Sequence, residues 1–235
     1  MPEENNRIIT DHLSDYLMVS EESGLINLKN EGISKKKIFF VGNIMIESLL
    51  MTKEKWSKIK LEGKLEKFID DKTILVTFHR PENVDDKKKL SKVVKILKDL
   101  SKDYKIVFPV HPRTIANLKI FGLSKDMENN HGVYLTEPMG YFEFLKILSL
   151  SKMVITDSGG VQEESTFLRI PCITIRNNTE RPVTVTKGTN VLFKLDERNF
   201  TAKVEQHVIS ISKGNFRKIK YWDNLVSKRI ADVIR

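Results

Sequence analysis

Four short stretches of this chain carry residues whose types and spacing could do chemistry. The first is "TDSGGVQEE", Thr156 to Glu164. Ser158, Gly159 and Gly160 stand where an apolar run ends and a helical pattern begins. Side chains this small let a ligand approach the backbone closely. The helix N-terminus adds free N–H groups and a positive dipole end, which suit an anion such as a phosphate. The same residues can equally form an ordinary tight turn, with Asp157 or Ser158 as the helix cap. Glu163 and Glu164 would repel a phosphate head-on. Glu164 makes better chemical sense reaching past it to sugar hydroxyls, such as those of a ribose; otherwise the two acids complement the helix dipole.

The second stretch, "TFHRPEN", offers His79 as a general acid or as a cation for a phosphate, because imidazole titrates near neutrality. Arg80 beside it strengthens the anion reading. "PVHPRT" repeats the theme with His111 and Arg113, and "RNNTERP" brings Arg176, Glu180 and Arg181. Guanidinium is the planar, two-pronged donor that phosphate geometry favours. A single histidine is more often structural, and a single charge run is more often a solvated face. Two histidines and four arginines placed after apolar runs exceed what a solvated surface requires. The fingerprints GxGxxG and GxxxxGK[ST] are absent, which disfavours a nicotinamide cofactor and an ATPase.

The elements that must position these residues are legible as apolar blocks: "KIFFVGN", "TILVTFHR", "KIVFPVHP", "GVYLTEP", "MVITDSGG", "PCITIRN" and "TNVLFKL". Each has strand length and no polar alternation, as expected of strands buried on both faces. Helical patterns lie between them. From Leu90, apolar residues fall at Val93, Val94, Leu97 and Leu100, the spacing of one helix face. "YFEFLKILSLS", "VQEESTFLR" and the terminal "YWDNLVSKRIADVIR" read the same way. Alternating strands and helices predict an α/β fold with a parallel sheet. The polar residues fall just after the strands: His79, His111, Glu137, Ser158 and Arg176 follow successive blocks. Ligands of open α/β sheets bind at that carboxyl edge.

The chain has 235 residues, with 40% hydrophobic and 30% charged and a formal net charge of +9, a composition of globular rather than disordered type. The positive balance favours an anionic ligand, and no zinc-finger, RRM-like or KH-like signature points to nucleic acid. The only cysteine is Cys172, so a disulfide framework and a cysteine-built metal site are excluded and a reducing cytoplasm fits. No metal site is expected. "MPEENNR" does not read as a secretory signal, and no apolar run is long enough to span a membrane. The first sixty or so residues read helix, strand, helix, strand. Two strands make a poor sheet alone, so this segment is expected to be the tail of a second α/β lobe whose beginning is absent. The region from Ile44 to about Lys67 is helical and polar enough to connect two lobes.

In order and spacing, "TFHRPEN", "PVHPRT", "TDSGGVQEE" and "RNNTERPVTVTKGTN" together resemble the non-hydrolysing UDP-N-acetylglucosamine 2-epimerase family. "PEENNR" and "VGNIMIESLL" extend the resemblance over almost the whole chain. It implies a GT-B-like Rossmann lobe, with helices on both faces of a parallel sheet, plus a partial second α/β lobe. The expected domains are 1–60, a remnant of the N-terminal lobe with an interlobe helix; 61–213, the UDP-binding lobe; and 214–235, a C-terminal helix packing back on the N-terminal lobe. The implied reaction interconverts UDP-GlcNAc and UDP-ManNAc by elimination and re-addition of UDP, without a cofactor. By resemblance Ser158, Gly159 and Gly160 hold the diphosphate, with Arg181 near it. Glu164 takes the ribose hydroxyls and Phe144 packs the uracil. His79 assists departure of UDP, Glu3 is a catalytic carboxylate, and Arg7 lies near the substrate. Arg80, His111, Arg113, Glu137 and Arg176 are further substrate-site candidates.

The chain departs from the family in two respects. The family's full N-terminal lobe, with its catalytic aspartate and glutamate, is not present before "PEE". The expected partners are therefore the UDP-sugar and either a second copy in a homodimer or a chain supplying that lobe. "PVHPRT" also replaces the "PVHxNP" of many bacterial members, at a site linked to their activation by UDP-GlcNAc. Two other readings remain: a GT-B glycosyltransferase lobe, and a non-catalytic UDP-sugar binding module.

Overall fold

Among the described residues, eight short strands, all paired in parallel, form two separate sheets. The computed structural model describes residues 2–235, with side chains described from Glu4 onward. The chain divides into two units, residues 1–52 with 218–235 and residues 53–217.

In the smaller unit β1 (Leu17–Val19) pairs with β2 (Ile38–Phe40). Helices Pro2–Leu13 and Glu22–Asn30 accompany them. Leu17, Val19, Leu28 and Ile33 form its small core. Asn43 starts helix Ile44–Met51 by accepting from the Met45 N–H at 2.9 Å, an ordinary asparagine cap. Gly42 has φ +96°, and a Cβ there would lie 2.2 Å from the Tyr221 carbonyl oxygen. The backbone of Tyr221 therefore requires glycine at this point. The terminal amphipathic pattern begins its helix only at Val226 and runs to Ile234. Tyr221 lies at φ 60°, and Asp223 accepts from the Leu225 N–H at 3.0 Å, so a turn replaces the expected first helical turns.

Glu47, only 3% exposed, caps that last helix. It accepts from the Ser227 N–H at 2.6 Å and from the Ser227 hydroxyl at 2.8 Å. A carboxylate at a helix N-terminus also meets the positive dipole end. Glu47→Ala is expected to cost the smaller unit roughly 1.5–3 kcal/mol, the value of hydrogen bonds to a charged group. Hydrogen exchange checks this: amides of residues 226–234 should lose protection, and unchanged protection there would reject the cap.

The larger unit holds six parallel strands: β3 (Thr73–Thr77), β4 (Lys105–Pro109), β5 (Val133–Thr136), β6 (Met153–Thr156), β7 (Cys172–Ile175) and β8 (Asn190–Phe193). Their order is β5-β4-β3-β6-β7-β8. The chain winds outward from β3 in one direction and from β6 in the other. This is the doubly wound Rossmann arrangement, whose switch point lies between β3 and β6. β6 and β7 are buried along their whole length, which explains their unbroken apolar sequence. Helix Lys87–Leu100 buries Leu90, Val93, Val94, Leu97 and Leu100, the stripe its spacing predicts. Asp86 caps it by accepting from the Lys89 N–H at 2.9 Å. The stripe joins one core with Ile74, Val76, Ile106, Phe108, Ile155 and Ile173.

Candidate functional site

At the switch point, Thr77 and Thr156 end their strands side by side, in register and with hydroxyls 2.6 Å apart. Two loops leave the sheet there, one carrying His79 and Arg80 and the other Asp157 and Ser158. Asp157 is fully buried and ties the loops together. It accepts from the backbone N–H of His79 at 3.1 Å and of Arg80 at 2.9 Å. The side-chain amide of Asn83 donates to it at 3.2 Å. Its other oxygen lies 2.9 Å from Nδ1 of His79. With Nδ1 turned to this carboxylate, Nε2 is the ring nitrogen left for a ligand.

His79 shares a cleft of about 440 Å³ with His111, Tyr141, Phe144, Ser158 and Val161, among others. The two imidazoles stand 5.8 Å apart between centroids. His111 is itself the cap of helix Pro112–Ile120, its Nδ1 accepting from the Arg113 N–H at 3.2 Å. Pro138 and Met139, just after Glu137, line the cleft, while Glu137 is exposed and not among the lining residues. Arg113 lies 3.8 Å from the Asp85 carboxylate and does not line the cleft either.

Helix Gly159–Leu168 starts beside this cleft. Neither of the candidate caps closes it: Ser158 makes no side-chain cap bond, and Asp157 is turned to the His79 loop. The Ser158 N–H instead donates to the Thr156 hydroxyl at 2.9 Å. Gly159 and Gly160 have ordinary negative φ, and a Cβ on Gly160 would meet nothing within 4 Å. On Gly159 the nearest atom would be Oε2 of Glu180, at 3.9 Å. Neither backbone strain nor packing within the chain therefore demands these glycines. Open space above them is what a closely approaching ligand needs.

The arginines around the helix N-terminus are partnered by acids. Arg176 reaches Glu180 at 2.8 Å, and Arg80 lies 3.8 Å from the other Glu180 oxygen. The Arg176 hydrogen bond holds the Glu180 carboxyl below the usual range. Arg181 Nε lies 2.9 Å from Glu163. Three guanidinium groups and the carboxylates of Glu180 and Glu163 thus cluster around the helix start. Glu164 is 4% exposed. Burial pushes its carboxyl up to about 7, against the opposing hydrogen bond from the Tyr141 phenol.

The helix is held from beneath by polar groups that the sequence reading did not single out. Gln162, fully buried, donates to the Ser158 carbonyl at 3.0 Å. Its amide oxygen accepts from Thr179 at 2.7 Å and from Asn190 at 3.0 Å. Thr179 in turn accepts from the Arg181 N–H at 2.9 Å. The network fixes the glycine turn and the Arg181 loop relative to each other.

In the smaller unit Arg7 is held by three carboxylates, Glu4 at 2.7 Å, Asp11 at 2.7 Å and Glu31 at 2.6 Å. The side chain of Glu3 lies outside the described residues.

A doubly wound sheet of this order, with its cleft at the switch point and an uncapped Gly-Gly helix beside it, defines a GT-B-like Rossmann lobe accompanied by a smaller α/β unit. The chain belongs to the UDP-N-acetylglucosamine 2-epimerase family, whose model matches residues 1–235. A UDP-N-acetylglucosamine 2-epimerase of Methanococcus maripaludis is 41% identical over 95% of this chain and 60% of its own length. The crystal structure of Methanocaldococcus jannaschii UDP-GlcNAc 2-epimerase in complex with UDP-GlcNAc and UDP matches 100% of the chain and 64% of that one, with 35% identity and a TM-score of 0.80. The Neisseria meningitidis UDP-GlcNAc 2-epimerase bound to UDP-GlcNAc matches 99% of this chain and 64% of that one, at 28% identity and a TM-score of 0.86. This chain therefore spans about 60–64% of the length of these relatives. No helix among the described residues is long and apolar enough to cross a membrane.

Proposed function

We propose that this chain carries the nucleotide-binding half of a UDP-N-acetylglucosamine 2-epimerase, acting in the cytoplasm on UDP-GlcNAc and UDP-ManNAc. The observation that carries the reading is the pairing of Asp157 with His79 beside the open Gly159–Gly160 helix start. The diphosphate rests on Ser158, Gly159 and Gly160, with Arg181 beside it and Arg80 and Arg176 supplying positive field. Uracil packs on Phe144, and Glu164 receives the ribose hydroxyls. In the forward reaction a base removes the proton from sugar C2, the C1–O bond breaks, and UDP leaves with the electron pair. His79, oriented through Nδ1 by Asp157, stabilises the departing β-phosphate through Nε2 or protonates it. UDP then adds back to the 2-acetamidoglucal as a proton returns to the opposite face. By the family resemblance, Glu3 is a catalytic carboxylate and Arg7 a substrate-site residue. Residues outside this sequence, on the same polypeptide, a second copy or another chain, supply the rest of the sugar site.

Titration calorimetry with UDP tests the reading. Arg181→Ala should weaken UDP binding by roughly 1.5–3 kcal/mol, the range for a charge-assisted hydrogen bond. Equal affinity in the variant would remove Arg181 from the site. An assay following UDP-GlcNAc without any acceptor separates the epimerase from a glycosyltransferase, since only the former turns the sugar over alone.

A further inference from the structure

We propose that the Thr77 hydroxyl is a further ligand-binding group of this site, a hydrogen-bond donor to a phosphate oxygen of the nucleoside diphosphate. The proposal rests on the reading of the Gly159–Gly160 helix start as the diphosphate seat and adds to it a donor from the neighbouring strand β3.

Thr77 and Thr156 end two adjacent parallel strands and are paired in register. Thr156 is fully buried, whereas Thr77 is half-buried and lines the cleft with His79 and Ser158. Their hydroxyls lie 2.6 Å apart, and by distance alone either could donate. The other partner of Thr156 decides between them. Its oxygen already accepts from the Ser158 N–H at 2.9 Å. Its own proton has one acceptor within reach among the described residues, the Thr77 oxygen. Were Thr77 the donor, the Thr156 proton would be buried without a partner, at the cost of an unsatisfied polar group. Thr156 therefore donates and Thr77 accepts.

A hydroxyl carries one proton and two acceptor lone pairs. With Thr156 donating to it, Thr77 keeps its own proton, and its hydroxyl makes no other hydrogen bond among the described residues. Thr156 closes the buried side of the pair, so the proton of Thr77 is available on the cleft side. From the Ser158 N–H through Thr156 to Thr77, each hydroxyl accepts one bond and gives the next, and such chains polarise their last donor. The Ser158 N–H, one of the groups a helix start can offer an anion, is thus turned inward, and its polarisation is passed to a hydroxyl in the cleft. A free hydroxyl proton suits an acceptor. Beside the open Gly159–Gly160 helix start and Nε2 of His79, the fitting acceptor is a phosphate oxygen.

The test compares UDP affinity, read by calorimetry, in the unaltered chain and in variants of the pair. Thr77→Val and Thr156→Val each break the bond between the strands, but only the first removes the proposed donor. Thr77→Val should bind UDP about tenfold more weakly or worse, the loss of one hydrogen bond to a charged group. Thr156→Val and Thr77→Ser should stay within about threefold of the unaltered chain, because the hydroxyl proton at position 77 remains. If Thr77→Val does not fold, Thr77→Cys replaces it with the same expected loss, since a thiol donates poorly but still offers Thr156 a weak acceptor. Equal affinities in Thr77→Val and Thr156→Val, or a loss in Thr77→Ser as large as in Thr77→Val, would make the pair a strut between strands and overturn the proposal alone. No UDP binding by the unaltered chain, or binding that Gly160→Ala leaves unchanged, would overturn the reading of the helix start and the proposal with it.

Discussion

Replacing Asp157 by alanine should destabilise the larger unit by roughly 3–5 kcal/mol, the cost of breaking a buried charged network. Three donors converge on this fully buried carboxylate, two backbone N–H groups and the Asn83 amide, and Nδ1 of the His79 ring lies 2.9 Å from it. Truncation leaves the two amides and Asn83 without their acceptor in a place water does not reach. It also frees the imidazole to rotate. For a unit of this size, about 2–4 °C is lost per kcal/mol, so a fall in Tm of the order of 10 °C is expected. Asp157→Asn should fall between the two, because its oxygen can still accept while its NH2 faces donors. Scanning calorimetry checks both, and a Tm within about 2 °C of the unaltered chain would show that the loops are held by other contacts.

Gly160→Ala should separate folding from binding. A Cβ at this position meets nothing within 4 Å, and the residue already has helical, negative φ. Alanine should therefore leave the fold intact or stabilise it by about 0.4–1 kcal/mol, through a less flexible unfolded chain. The methyl group nevertheless occupies the space that a diphosphate on the helix start would use. UDP affinity should fall at least tenfold, or about 1.4 kcal/mol. A variant that is more stable but binds UDP normally would place the anion elsewhere.

The strands were legible because buried parallel strands need unbroken apolar runs, and all seven quoted blocks contain one. The Lys87–Leu100 helix was legible for a related reason: its buried stripe repeats at helical spacing. The carboxyl-edge placement of His79, His111, Ser158 and Arg176 followed once the strands were placed. What the sequence concealed depends on contacts between distant positions. Asp157 and His79 are 78 residues apart, so no local spacing marks Asp157 as more than a helix cap. Gln162 and Asn190, 28 residues apart, look like surface amides and are instead the buried support of the glycine turn. Glu163 and Glu164 can be read as complements to the helix dipole; both are buried, and Glu163 is paired with Arg181. Arg7, placed near the substrate by resemblance, is held by three carboxylates, two of them about one helical turn away and the third from Glu31.

Amide chemical-shift mapping of the chain during titration with UDP tests the central claim most directly. The account predicts the largest perturbations at the amides of Ser158, Gly159, Gly160 and Val161, with further shifts at His79 and Arg80. Shifts confined to other basic surface, such as the cleft lined by Lys89, Lys92 and Lys194, with the Gly159–Gly160 amides unmoved at saturation, would contradict it.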